Sequence, residues 1–315
     1  MKNTNVYPMI RALASFVLPR GIMKRPGSGG TFSSDYCYSV WHRHLKFLLD
    51  NGLFGNIDEI SRVAEIGPGD SLGIGLASLY CGADEYYAFD VIEHANLSKN
   101  LQVSDELHKL FSSNADIPNT GNQINTYPKL KDYEFPEYLS SFEAEYFENR
   151  RGEIAKALEK RGNTEVVIDY VVPWYEAGKK SISEVDLIFS QAVMEHVEDI
   201  EFAYKEMFRW LRVGGVISHQ IDFKTHEMTK EWNGHWYIGN PVWRFLAHGR
   251  KYPMNRLPLS SHVKKIQEAG FVIKFVLPVT RPSVFLSREP SVKNVSFTAD
   301  DMVTSGALIQ AVKPS

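Results

Sequence analysis

Residues 63–75, VAEIGPGDSLGIG, narrow most sharply what this chain can become. An apolar run leads into Gly67 and Gly69, and a helix-compatible run follows. That order spells a strand, a tight turn and a helix. Such a turn gathers backbone N–H groups at a helix start, an arrangement suited to a nucleotide. The alternation then repeats. EYYAFDV reads as a second strand, TEVVIDYVV as a third, VDLIFSQA as a fourth and GGVISHQIDF as a fifth. Helices are expected over YSVWHRHLKFLLDNGLF, from Gly73 to Tyr80, over EHVEDIEFAYKEMFRWLR, and over SSHVKKIQEAGF with Gly270 ending it. FVIKFVLPV and GALIQAVK are two late strands. The expected fold is α/β: a doubly wound, Rossmann-like sheet of about seven strands with a closing antiparallel strand pair.

Two regions fall outside the alternation. Residues 97–162 are polar and helix-prone, too long for a simple crossover, and read as a helical insertion forming a cap. Residues 1–55 read as an N-terminal helical segment whose glycine-rich stretch GSGGTFSS is suited to a lid. Its first helix, expected over 5–18, is too short to span a bilayer and is read as docked on the protein rather than on a membrane. The expected division is therefore 1–55, then 56–315 with the insertion 97–162 and an acceptor-side segment 223–261.

Composition excludes several partners. Lys plus Arg total 35 against 38 Asp plus Glu, a net charge of −3, so no basic excess marks the chain for nucleic acid. Cys37 and Cys81 provide neither a disulfide framework nor zinc-ligand spacing, which favours the reduced cytoplasm and no metal. Nothing in the composition fixes an oligomeric state.

The glycine spacing bears on which nucleotide fits. Gly67, Gly69 and Gly73 make GxGxxxG, with Leu72 where a dinucleotide loop has its third glycine. No Lys followed by Ser or Thr stands in the turn for a Walker-type loop. Between Val63 and Ser98 there is no Lys or Arg, while Glu65, Asp70, Asp84, Glu85, Asp90 and Glu93 are all acidic. A pyrophosphate would meet like charge there. A ligand without phosphate and with a positive centre suits the turn better, and S-adenosylmethionine is one. Asp90, ending the second strand, is placed to accept both hydroxyls of a ribose.

VAEIGPGDSLG, YYAFDV, VDLIFSQAVMEHVED and MFRWLRVGGVISHQID together resemble the successive motifs of the class I S-adenosylmethionine-dependent methyltransferases. The nearest subgroup resembles the bacterial small-molecule methyltransferases, in which a strand ending D-L-I leads to EHV and then R-L-x-x-G-G. The resemblance covers 60–92 and 164–315, and not the insertion or residues 1–55. It implies that Glu65 and the backbone of Gly67 and Gly69, in the turn completed by Pro68 and Ser71, approach the methionine part and the ribose. It implies Asp90 on the ribose diol, Val91 against adenine, and Ser190 and Gln191 at the methionine end. Asp169, in IDYVVPW, stands near the position of the adenine-edge residue; the alternative is that it points away.

The acceptor side is expected at the ends of the fourth and fifth strands. SHQIDFKTHEMTKEWNGHWYIGNPVW contains His219, Asp222, His226 and His235, together with Trp232, Trp236 and Trp243, half of the six tryptophans. Alternation sets His219 and Ile221 on one face of the strand and Gln220 and Asp222 on the other. Each single histidine reads more readily as a bonded structural residue, and the cluster as a polar acceptor pocket. Flat aromatic faces beside imidazoles and amides suit a carbohydrate-like or other small hydroxylated acceptor, with His219, Asp222, His235 and His196 as candidate catalytic groups. His196 reads equally as a local cap. The expected reaction is O-methylation. The alternatives are N-methylation of a small amine, against which SQAV replaces the Asn/Asp-Pro-Pro-aromatic motif, and a non-catalytic S-adenosylmethionine-binding module. A nicotinamide oxidoreductase is disfavoured by the acidic turn.

Overall fold

A computed structural model describes residues 30–175, 182, 184–248, 250, 252–285 and 287–315. The helix expected over 5–18 lies outside the described residues.

Seven strands form one sheet in the order β3-β2-β1-β4-β5-β7-β6. They are β1 (Arg62–Ile66), β2 (Glu85–Phe89), β3 (Val167–Val171), β4 (Val185–Gln191), β5 (Leu211–Asp222), β6 (Val272–Thr280) and β7 (Thr304–Val312). The first five pair in parallel, and β7 runs antiparallel between β5 and β6. The strand order reverses between β1 and β4, where open α/β sheets bind ligands beyond the carboxyl ends of their strands. The doubly wound sheet and its closing pair match the sequence reading.

Alternation of side chains divides the core in two. Val63, Tyr86, Leu187, Phe189 and Val216 face one layer. That layer holds α1 (Ser34–Asp50), α2 (Gly73–Tyr80), α3 (Leu97–Ser112) and α4 (Ala144–Leu158). Ala64, Ile188, Ile217, Ile221 and Ile309 face the other layer, with α5 (Ile200–Trp210) and α7 (Leu259–Glu268). The short α6 (Asn240–Ala247) belongs to a small satellite core around Met228, Trp243, Leu246 and Met254.

The region 97–162 departs from a cap. Val103, Leu107 and Phe111 of α3 and Phe147 and Ile154 of α4 are buried in the main core with Tyr80 and Tyr86. These helices carry the layer covering β1 and β2, because their apolar stripes have no other surface to bury against. The irregular part between them, 113–143, is held by α1. Arg43, fully buried, donates to the carbonyls of Thr126 and Pro128, to Asn119 Oδ1 and to the hydroxyls of Ser39 and Tyr133. That is why α1 is buried on its polar face as well as on the apolar face of Val40, Leu45 and Leu48.

Gly75 is the close-approach glycine. A Cβ there would lie 1.9 Å from the Tyr86 ring, so α2 rests directly on β2. The dinucleotide pattern puts such a glycine at position 72, and here it stands three residues later.

Candidate functional site

The glycine turn opens at the end of β1. Gly67 and Gly69 take φ of +71° and +77°, left-handed values that an L side chain rarely adopts. The Gly67 N–H donates to the Phe89 carbonyl at 2.8 Å, which ties the turn to β2. Val193, just past β4, packs on Gly67 so closely that a Cβ there would lie 2.7 Å from its methyl groups. From the other side, the Thr31 hydroxyl accepts the N–H of Asp70 at 2.9 Å and that of Ser71 at 3.4 Å. The segment before α1 therefore touches the turn directly.

Asp90 sits where the second strand ends. Its Oδ1 accepts the Val91 N–H at 2.7 Å, and burial holds its carboxyl above the usual carboxylate range, partly offset by N–H groups that include that of Gly69. Beside it, Val91 is 45% and Ile92 42% exposed, an apolar surface at the strand end. An acid facing the turn, an apolar surface next to it and the absence of any cation from 63 to 98 suit the diol, the adenine and the positive centre of S-adenosylmethionine.

The other residues named for the cofactor divide. Glu65 is buried beneath the turn, where Tyr86 donates to it at 2.5 Å and the Gly75 N–H also reaches it; burial lifts its carboxyl to about 8. Ser71 is buried too, donating to the Thr31 carbonyl and accepting the Gly73 N–H at 3.2 Å, so its hydroxyl starts α2. Pro68 is buried within the turn. Ser190 faces away: it shares the α5 face with Ile188 and hydrogen-bonds His219 Nδ1 at 2.8 Å. Asp169 lies mid-strand in β3, paired in register with Tyr87 on the same face, two residues short of the strand end. Gln191 has the opposite parity from Ser190. Its Oε1 accepts from His44 Nε2 at 3.1 Å and its Nε2 donates to the Tyr127 carbonyl at 3.0 Å.

Gln191 opens onto a cavity of about 220 Å³ at the ends of β4 and β5. Its polar lining includes Tyr36, Tyr127, Gln191, Gln220, Asp222, Lys224 and Arg281. Asp222 pairs with Lys224 Nζ at 3.0 Å and accepts the Lys224 N–H at 2.8 Å. Of the four candidate catalytic residues, Asp222 alone lines this cavity. His219 is fully buried against Tyr204 and His262, and burial lowers its pKa to about 3. His235 is fully buried between Trp236 and Trp243. The tryptophans are core anchors rather than walls of the pocket: Trp236 is fully buried, Trp243 nearly so, and Trp232 donates to the Pro282 carbonyl at 2.8 Å. Their large apolar area is better buried than presented to a ligand.

His196 meets groups the sequence did not bring together. One ligand-capable atom each from Glu195, His196 and His226 lies within 4.8 Å of the others. No CxxC or HxxxH spacing announces this set, because Glu195 and His196 are adjacent and His226 is thirty residues further on.

A family model described as a methyltransferase domain matches residues 149–218. No curated protein matches the sequence. Among solved structures, the chain is similar to a SAM-dependent methyltransferase from Methanosarcina mazei, at 13% identity over 81% of this chain and 93% of that one, with a TM-score of 0.41. It is similar to an S-adenosylmethionine dependent methyltransferase from Mesorhizobium loti, at 12% identity over 83% and 100%, with a TM-score of 0.39. A third is the phosphoethanolamine N-methyltransferase 2 of Haemonchus contortus in complex with S-adenosyl-L-methionine, at 14% identity over 91% and 58%, with a TM-score of 0.42. The strand order with its antiparallel closing pair and the matched stretch from α4 through β4 into β5 define a class of enzyme. The enzyme class that the matched domain supports is an S-adenosylmethionine-dependent methyltransferase.

Proposed function

We propose that the chain methylates a hydroxyl oxygen of a small, polar, carbohydrate-like acceptor held in the cavity at the ends of β4 and β5. The observation that carries this reading is the lining: three amides, two tyrosines, Thr126, Ser305, Asp222, Lys224 and Arg281 around about 220 Å³. Such a wall can exchange hydrogen bonds with several hydroxyls of one acceptor.

When bound, S-adenosylmethionine supplies a methyl group already activated on a sulfonium. The chain's own task is therefore alignment. Asp90 holds the ribose diol, Val91 and Ile92 cover adenine, and the backbone of Gly67 to Gly69 flanks the ribose and methionine. Gln191, fixed by His44 and Tyr127, separates this part from the acceptor cavity. Asp222 accepts the hydrogen bond of the acceptor hydroxyl, with Lys224 keeping its carboxylate in place. Residues 30–36, joined to the turn through Thr31, close the cofactor side. No helix among the described residues is long and apolar enough to cross a membrane, and Cys37 and Cys81 are free and buried, which suits a reducing compartment such as the cytoplasm.

The test is incubation with methyl-labelled S-adenosylmethionine and a panel of sugars, sugar acids, phenols and small amines, read by label transfer and product mass. Label on a sugar or sugar-acid hydroxyl is expected. Label confined to amines would replace this reading with N-methylation.

A further inference from the structure

Glu195 is an anomalous polar group in the described structure. It is 1% exposed, no side chain hydrogen-bonds either carboxylate oxygen, and only its own N–H and that of Asp222 approach them. A buried carboxylate with no side-chain donor or cation bonded to it is costly and rare. Two more orphaned atoms stand beside it, His196 Nδ1 and His226 Nε2. His226 Nε2 lies 3.9 Å from Glu195 Oε1, too far for a hydrogen bond.

The backbone holds these groups in place. Asn255 donates from its side chain to the carbonyls of Met194 and Val197, and from its N–H to that of Glu195, which pins the 194–197 turn. His226 and Glu227 take left-handed φ of +47° and +64°, a local cost on the loop that turns the imidazole inward. Asp222 is an electrostatic neighbour of all three groups and forms part of the cavity wall.

We propose that Glu195, His196 and His226 bind one divalent transition-metal ion, with zinc the best match. Two imidazoles and one carboxylate are a zinc donor set that leaves a fourth position open. Tetrahedral bonds to nitrogen and oxygen of about 2.0–2.1 Å set the donors about 3.3 Å apart. The donor atoms, now within 4.8 Å, reach that spacing by small rotations, for which the partly exposed His226 has room. Asp222, the electrostatic neighbour of all three donors, links this cluster to the acceptor cavity. On the hydroxyl-acceptor reading above, on which this role rests, an ion there would polarise the acceptor oxygen. Metal binding itself does not depend on that reading.

The untagged chain, stripped with a chelator, is titrated with Zn²⁺ by calorimetry, and with Co²⁺ by visible absorption, in the absence of any acceptor. One ion per chain is expected, with the d–d bands of a low-coordinate Co²⁺ site. His226→Ala and Glu195→Gln should weaken uptake by at least ~10–100-fold. His226→Ala, on a surface loop, should keep the wild-type unfolding midpoint and S-adenosylmethionine affinity. No saturable uptake, or uptake equal in both variants and the wild type, would overturn the site. A metal-free chain that still methylates hydroxyls would leave the acceptor reading standing.

Discussion

Glu65 shows how one residue in a binding motif can belong to the scaffold. It receives the Tyr86 hydroxyl and the Gly75 N–H below the turn, and burial lifts its carboxyl from the ordinary 4.5 to about 8. Between those values the folded chain keeps a proton that the unfolded chain has lost, so stability falls as pH rises towards 8. Buried histidines act at the other end. His44 is lowered to about 4 and His219 to about 3, from 6.5. Their unfolded forms take up protons below 6.5, so stability also falls as pH drops under that value. Urea unfolding should therefore show greatest stability near pH 6.5–7. Glu65→Gln should lessen the decline on the alkaline side, to which the buried Glu195 and Asp90 carboxyls also contribute, and leave the acid side in place. A wild-type profile flat up to pH 8 would refute the buried, proton-holding Glu65.

At the scale of elements, the sequence reveals what is periodic and hides what is assembled from a distance. All seven strands follow from alternation and turn residues, and so does the closing pair. The helix expected to run to Arg212 ends instead at Trp210, because Leu211 already pairs with Val185 at the start of β5. Asp90 and Val91 stand just past the end of β2, where the motif placed them in the sequence. Ser190 was placed by motif, although its parity with the buried Ile188 already pointed it to the α5 face. The tryptophans suggested a sugar platform, yet their bulk is what fills the core around them. Tyr36, Tyr127 and Arg281 had no local signal, since α1, the 113–143 segment and the end of β6 meet only in the folded chain. Arg43 connects two of these pieces. Replacing it with Lys leaves several buried carbonyls and the Asn119 amide oxygen without their donors, at a cost of about 2–5 kcal/mol. Arg43→Lys should lower the denaturant midpoint accordingly and expose 119–133 to limited proteolysis. Wild-type stability and cleavage would show that this segment is held by something else.

The described residues form one sheet, and on the proposed reading its strand ends carry two neighbouring functions. The cofactor side is built from β1 and β2, and the acceptor side from β4, β5 and the loops beyond β5 and β6. Gln191 stands between them, bound to α1 through His44 and to the 113–143 segment through Tyr127. Everything proposed for the acceptor depends on the cofactor side working as described. The most direct measurement is calorimetric titration of the folded chain with S-adenosylmethionine, beside Asp90→Ala and with NADH as a control ligand. The account predicts saturable binding of S-adenosylmethionine, none of NADH, and affinity reduced at least ~10-fold in the variant through loss of a charge-assisted hydrogen bond. A folded wild type that does not bind S-adenosylmethionine, or a variant that binds it equally well, would contradict the account.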